Sequence, residues 1–157
     1  MLHVYYYEFP DPIGRLGIAA DETGITHIFP DSKCPVQNTV VIESSYIKEA
    51  SLQLQEYFDG MRTEFNLPLS PSGTAFQKKV WNALLDIPYG ETCSYKDIAL
   101  KIQSPKGFQA IGQANANNPL PFVIPCHRVI AADGSLGGYA LGLRLKAWLL
   151  ELEQRNH

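Results

Sequence analysis

Short runs of alternating apolar and polar residues, broken by Pro and Gly, open the chain. "HVYYYEF" and "LGIAA", joined through "PDPIGR", predict a hairpin, and "GITHIF" predicts a third strand. The period then lengthens. Ile47, Ala50, Leu54, Tyr57 and Phe58 fall on one face of a helix, with Ser44 or Ser45 as its cap and Gly60 as its stop. A short strand is expected over "TEFNL". The Pro, Ser and Gly of "PLSPSG" then suit a linker between domains.

Beyond the linker the periodicity is helical. "TAFQKKVWNALLDI" carries Phe76, Val80, Ala83, Leu84 and Ile87 at helical spacing, capped by Thr74 and ended by Pro88 and Gly90. In "SYKDIALKI", Ser94 and Asp97 make a capping-box-like start, and Ile98 and Ile102 supply the apolar face. "SPKG" is a turn and "FQAIGQANANN" a second short helix rich in small residues. The pair outlines a helix-turn-helix. "LGLRLKAWLLELE" closes the chain as an amphipathic helix with Leu145, Trp148, Leu149 and Leu152 inward. The pattern predicts an α/β domain over residues 1–70 and a mainly α domain over 71–157.

Composition narrows the class. At 157 residues, 45% hydrophobic and 18% charged, the chain can bury a core. No apolar run approaches the roughly 18 residues that a membrane span needs. The N-terminus lacks the basic and apolar regions of a secretory signal. Cys34, Cys93 and Cys126 are too few and too scattered for a disulfide framework, which suits a reducing, cytoplasmic setting (or nuclear, in a eukaryote). Charge is split: residues 1–73 hold 4 Lys/Arg and 10 Asp/Glu, residues 74–157 hold 9 and 6. A polyanionic partner therefore fits the second half only, and an ordinary solvated surface fits as well.

One stretch carries candidate chemistry. "PFVIPCHRVI" sets Cys126, His127 and Arg128 side by side between apolar residues. No CxxC exists and no histidine pairs with a cysteine at zinc-ligand spacing, so no metal is expected. A free thiol near pKa ~8.5 needs help to ionise, and a histidine and a cation are the residue types that give it. Neighbours in a strand or helix point apart, so Cys126 and His127 need a bridging water or a turned backbone after Pro125. On residues alone, an inert buried cysteine and a reactive one both remain open.

The stretch does not stand by itself. "PCHRVI", preceded by "NPLPFVI" and followed by "GSLGGYALGLRLKAWLLELE", resembles the signature of the 6-O-alkylguanine-DNA alkyltransferases, also called methylated-DNA–protein-cysteine methyltransferases. The likeness runs from about Thr74 to Glu153 and extends more loosely back through "LQEYFDGMRTEFNLPL". It implies a small antiparallel sheet with a helix, ribonuclease-H-like, ahead of the helix-turn-helix domain. It also implies direct repair, in which an alkyl group moves from the 6-oxygen of guanine in DNA to the protein's own cysteine. The family needs no cofactor, and its partner is double-stranded DNA containing alkylated guanine. A monomer is expected, with no membrane association.

Residue by residue, the resemblance makes Cys126 the acceptor thiolate, His127 its base through a water, and Glu153 the carboxylate that orients His127. Tyr95 would donate to the purine as negative charge develops on it. The target nucleotide must leave the duplex to be reached. Its pocket would use the carbonyls of Cys126 and Val129, amides around Tyr139 and Ala140, and apolar walls from Tyr139 and Pro121. Asn118 would tie the recognition helix to the cysteine loop. Phe108, Gln109, Ala110, Gly112 and Ala114 would meet DNA through the minor groove, Arg128 and Lys106 would also bind DNA, and Lys96, Lys101 and Lys106 would face phosphates.

The chain also departs from the pattern. Phe108 and Gln109 stand where the family usually has a small residue and then an arginine that fills the space left by the extruded nucleotide. Phe108 would serve as an apolar wedge instead. Two other classes compete: a lesion sensor that flips without repairing, which Cys126 argues against, and a cysteine hydrolase with turnover on acyl substrates, which the extended motif argues against.

Overall fold

The protein is described from a computed structural model that covers residues 1–104 and 107–157. The chain divides into two compact units, Met1–Ser72 and Gly73–His157. No helix among the described residues is long and apolar enough to cross a membrane.

In the first unit, β1 (Leu2–Phe9), β2 (Gly14–Ala20) and β3 (Ile25–Pro30) form an antiparallel meander. A three-residue strand, β4 (Thr39–Val41), pairs in parallel with β1, so the sheet order is β3-β2-β1-β4 and the sheet is mixed rather than wholly antiparallel. "TVV" is too short to show an alternation, and for that reason the sequence pattern misses it. One face of the sheet gathers Val4, Ala19 and Phe29 with Leu2 and Tyr6. A Cβ at Gly17 would sit 2.5 Å from the Phe29 ring and 2.9 Å from Tyr6, so only glycine lets the two aromatic rings meet edge-on over this strand.

Helix α1 (Ser45–Phe58) packs on the strands through Ile47, Ala50, Leu54, Tyr57 and Phe58, all buried and all on the predicted face. Ser44 is its N-cap residue by position, although its side chain makes no capping bond. The strand expected over Thr63–Leu67 does not form. Gln53 of α1 reaches that segment instead: its Nε2 donates to the Asn66 carbonyl at 3.0 Å and its Oε1 accepts the Asn66 N–H at 2.8 Å. A side chain thus supplies the hydrogen bonds a neighbouring strand would have offered. Sheet pairing resumes only at a single bridge between Ile25 and Leu69.

The second unit starts with α2 (Ala75–Leu85), closed at its N-terminus by a full capping box between Thr74 and Gln77. A two-residue strand, β5 (Cys93–Ser94), leads into α3 (Tyr95–Lys101), which Ser94 and Asp97 cap in the same reciprocal way. Helix α4 (Phe108–Ala116) completes the helix-turn-helix. Of the predicted turn, Pro105 and Lys106 lie outside the described residues. Trp81 of α2 donates its indole N–H to the Ala114 carbonyl at 2.9 Å and locks α4 against α2. A single 3-10 turn, Cys126–Arg128, runs into β6 (Val129–Ile130), which pairs in parallel with β5. The chain ends in α5 (Leu143–Arg155), whose Leu145, Leu149 and Leu152 are buried and whose Trp148 is half-buried.

Candidate active site

Asn118, just past the end of α4, shapes the approach to Cys126. Its Oδ1 accepts the Leu120 N–H at 2.9 Å and its Nδ2 donates to the Ile124 carbonyl at 2.8 Å, closing residues 118–124 into a loop. The same Ile124 carbonyl accepts the Cys126 N–H at 2.7 Å, and the 3-10 turn begins there. Side chains on such a turn diverge by about a third of a circle per residue. Cys126 and His127 therefore point into different surroundings, so the turn does not bring the two side chains together as one of the two expected routes required.

Behind the turn lies a buried charged cluster. His127 is 0% exposed and Glu153, on α5, is 1% exposed. His127 Nε2 and Glu153 Oε2 are 2.7 Å apart. Arg128 clamps the same carboxylate: Nε donates to Oε1 at 2.8 Å and Nη2 to Oε2 at 3.0 Å. The Gly90 N–H adds a further donor to Oε1 at 3.1 Å. Burial by itself would raise the Glu153 pKa, but bonds and charge from His127 and Arg128 outweigh it and hold the carboxyl at about 2. Burial pulls the His127 pKa down against the pull of Glu153. A neutral imidazole beside an ionised carboxylate carries its hydrogen on Nε2, which leaves the Nδ1 lone pair as the basic one.

Arg128 corrects one expectation. Its guanidinium is spent on Glu153 and, through Nη1 at 2.7 Å, on the Ile87 carbonyl, with the Tyr89 ring alongside. It is 7% exposed, so its charge is turned inward and not offered to DNA as expected. Nor does it act on the thiol. Burial pushes the Cys126 thiol up to about 11, and the groups that oppose this are the Asn118 amide and the charge of Lys146.

Of the remaining expected pocket residues, Tyr95 and Tyr139 come within electrostatic reach of Cys126. Tyr95, first residue of α3, lies against Gly137, where a Cβ would come within 3.4 Å of its ring. Burial raises the Tyr95 pKa, and the Gly138 N–H, Cys126 and Asn115 all act on the hydroxyl. The Tyr139 hydroxyl is buried without a hydrogen-bond partner among the described residues, and it feels both Cys126 and Glu153. Pro121 is buried, Ala140 exposed. The Cys126 carbonyl takes a long 3.4 Å bond from Asn115 Nδ2, and the Val129 carbonyl takes Lys146 Nζ at 2.6 Å. The Cys126 carbonyl also accepts the Val129 N–H that closes the turn, so the long Asn115 bond is the weaker of its two.

On α4, Phe108, Gln109 and Ala110 are exposed, and Phe108 keeps 51% of its surface in water. A Cβ at Gly112 would meet nothing within 4 Å. Ala114 is a second correction: it is 2% exposed, packed where α2 and α4 meet, so its small size serves helix packing. Lys96 and Lys101 are exposed, with Lys101 paired to Asp86 at 2.8 Å. Lys106 lies outside the described residues.

Comparison with known proteins decides the family. Residues 2–71 match the ribonuclease-like domain of 6-O-methylguanine DNA methyltransferase, and residues 75–155 match its DNA binding domain. The chain belongs to the 6-O-methylguanine DNA methyltransferase family. It is 50% identical over 160 residues to the constitutive methylated-DNA–protein-cysteine methyltransferase of Bacillus subtilis, covering 98% of this chain and 97% of that one. It is 44% identical over 156 residues to the methyltransferase of Methanosarcina mazei, covering 98% and 99%. Among solved structures, Mycobacterium tuberculosis OGT in complex with DNA superposes with a TM-score of 0.90 at 40% identity, covering 98% of this chain and 94% of that chain.

Two residues that the structure brings to the Cys126 turn escape the sequence pattern. Asn115 reads as one of several asparagines in a short polar run, and nothing in its spacing says that it turns toward Cys126. Lys146 belongs to the quoted signature through its Lys-x-Trp-Leu-Leu run, but nothing in that run says that the lysine is 0% exposed.

Proposed function

We propose that the protein repairs DNA by moving an alkyl group, methyl in the simplest case, from the 6-oxygen of guanine to Cys126, once per molecule. The observation that carries this reading is the buried chain from the Cys126 turn through His127 to Glu153. That chain provides a neutral base held in one tautomer next to a thiol that cannot ionise unaided. His127 Nδ1 takes the thiol proton through a water, and Glu153 stabilises the imidazolium that results. The thiolate sulfur attacks the alkyl carbon in line, the S–C bond forms, and the C–O bond breaks with its electron pair going to guanine. Tyr95 donates to the purine as that charge develops. The product is a thioether with no electrophilic carbonyl, so neither water nor His127 can release it.

The substrate base enters the pocket by leaving the duplex. The carbonyls of Cys126 and Val129 and the amides around Tyr139 and Ala140 read it, with Pro121 and Tyr139 as apolar walls. Residues 71–157 carry both DNA and chemistry, while 1–70 support them, and the cytoplasm is the working compartment. Exposed Phe108 inserts as a wedge at the base step, Gln109 bonds the orphaned partner base, and Ala110 and Gly112 allow the close approach. Incubation with a duplex carrying 6-O-methylguanine, followed by intact-protein mass, tests the whole. A single permanent methyl increment at Cys126, absent in Cys126→Ala, is expected. No increment, or many lesions processed per molecule, overturns it.

A further inference from the structure

Lys146 has no place in the scheme above, yet among the described residues of the second unit it is the most fully buried cation, at 0% exposed. It sits in the first turn of α5, where unsatisfied backbone N–H groups already make the local field positive. A lysine there loses hydration and gains an unfavourable dipole, so something specific must hold it. Three backbone carbonyls do. Nζ donates to the Val129 carbonyl at 2.6 Å, to the Gly138 carbonyl at 2.9 Å, and to the Leu136 carbonyl. An ammonium has three N–H donors and a neutral amine only two, so this arrangement selects the charged form.

The three carbonyls come from two pieces of chain. Val129 follows the Cys126–Arg128 turn, and Leu136 and Gly138 belong to the glycine-rich loop that presents Tyr139 and packs Gly137 on Tyr95. We propose that Lys146 is a positioning residue for alkyl transfer: its buried ammonium pins the Leu136–Gly138 loop to the strand after Cys126 and supplies the positive charge that favours the sulfur anion. This rests on the function proposed above. The burial that pushes the thiol up is opposed by Lys146, and Cys126 in turn acts on Lys146 to keep it protonated against its own burial.

The test separates charge from packing. Lys146→Met keeps length and apolar stem but removes the charge and all three donors; Lys146→Arg keeps the charge. Single-turnover methyl transfer at saturating duplex is followed from pH 6 to 10, and thiolate absorbance is titrated against a Cys126→Ala blank. The other titratable and charged groups around the site are His127, Arg128, Glu153, Tyr95, Tyr139 and Cys93, and they are unchanged in all variants. For Lys146→Met the expected result is at least a tenfold slower transfer at pH 7.5, with the loss shrinking as pH rises and the thiolate titration displaced upward. Lys146→Arg is expected to recover most of the rate. A wild-type rate in Lys146→Met, or an equal loss at every pH with an unmoved titration, overturns the proposal. The absorbance titration needs no DNA, so it stands even if the wild-type chain transfers no methyl group, an outcome that sinks the proposed function alone. Should Lys146→Met not fold, nitrogen-15 spectra of the wild-type lysine decide: a protonated Nζ at pH 8 that responds to alkylation of Cys126 supports the proposal, and a neutral or unresponsive one overturns it.

Discussion

His127 gives its Nε2 hydrogen to Glu153 across 2.7 Å, and Arg128, the next residue along, grips the same carboxylate with two nitrogens. One acid on the last helix thus orients a base and neutralises a cation that sit side by side on the cysteine turn. The carboxylate is a structural and a chemical component at once, which makes its removal informative in two ways.

Glu153→Gln leaves the Arg128 guanidinium buried without a counter-charge. Breaking a buried pair from one side costs on the order of 3–5 kcal/mol. Denaturant unfolding should show a loss of that size. Methyl transfer should fall further than stability explains when both are measured well below the unfolding midpoint, because the His127 tautomer is no longer held.

The pH dependence of stability has a definite sign on each side. Glu153 is depressed to about 2, and an unfolded glutamate titrates near ~4.3, so its stabilisation is complete above that and lost as pH falls toward 2. His127 is depressed by burial, so the unfolded chain takes up its proton first, and stability already declines as pH drops below ~6.5. Cys126 is raised to about 11 and an unfolded thiol titrates near ~8.5, so stability is also lost as pH climbs between them. Urea midpoints from pH 3 to 10.5 should form a plateau near neutrality. Cys126→Ala should shrink the alkaline limb, leaving the part due to Cys93, which burial also pushes up to about 11, and should leave the acid limb in place.

Gly112→Ala should move stability and DNA binding in opposite directions. The new methyl meets nothing within 4 Å, and alanine in a helix interior gains roughly 0.5–1 kcal/mol over glycine. If that face of α4 lies on the minor groove, the same methyl holds the backbone away from it. A higher melting temperature with weaker duplex affinity is the expected pair of results. Affinity unchanged would mean that this face does not touch DNA.

Phe108→Ala removes an exposed ring and should leave stability within about 0.5 kcal/mol, as surface changes usually do. Transfer from a lesion in duplex DNA should slow about tenfold, while transfer from free 6-O-benzylguanine, which needs no extrusion, should not change. Equal rates on duplex before and after the substitution would remove the wedge. Gln109→Arg should speed duplex repair, since it adds charge and reach beside the vacated base position.

Local pattern made much of this protein legible. The meander, the amphipathic faces of α1, α2 and α5 and the capping residues at Thr74 and Ser94 follow from short-range chemistry, and short-range chemistry is written in neighbouring residues. Cys126, His127 and Glu153 were visible because a family signature spans them. What the chain alone did not settle was where side chains end up. Residue types and spacing did not say that Arg128 turns inward to Glu153 rather than outward to DNA, that Ala114 is packed and Gly112 open, or that Gln53 takes the hydrogen bonds expected of a strand at Asn66. Nor did they say that a lysine in the first turn of an amphipathic helix is fully buried on three carbonyls. Each of those depends on groups that are distant in sequence and meet only when the helices pack. Whether a polar atom faces water or a partner is decided by that meeting, so composition and periodicity carry no trace of it.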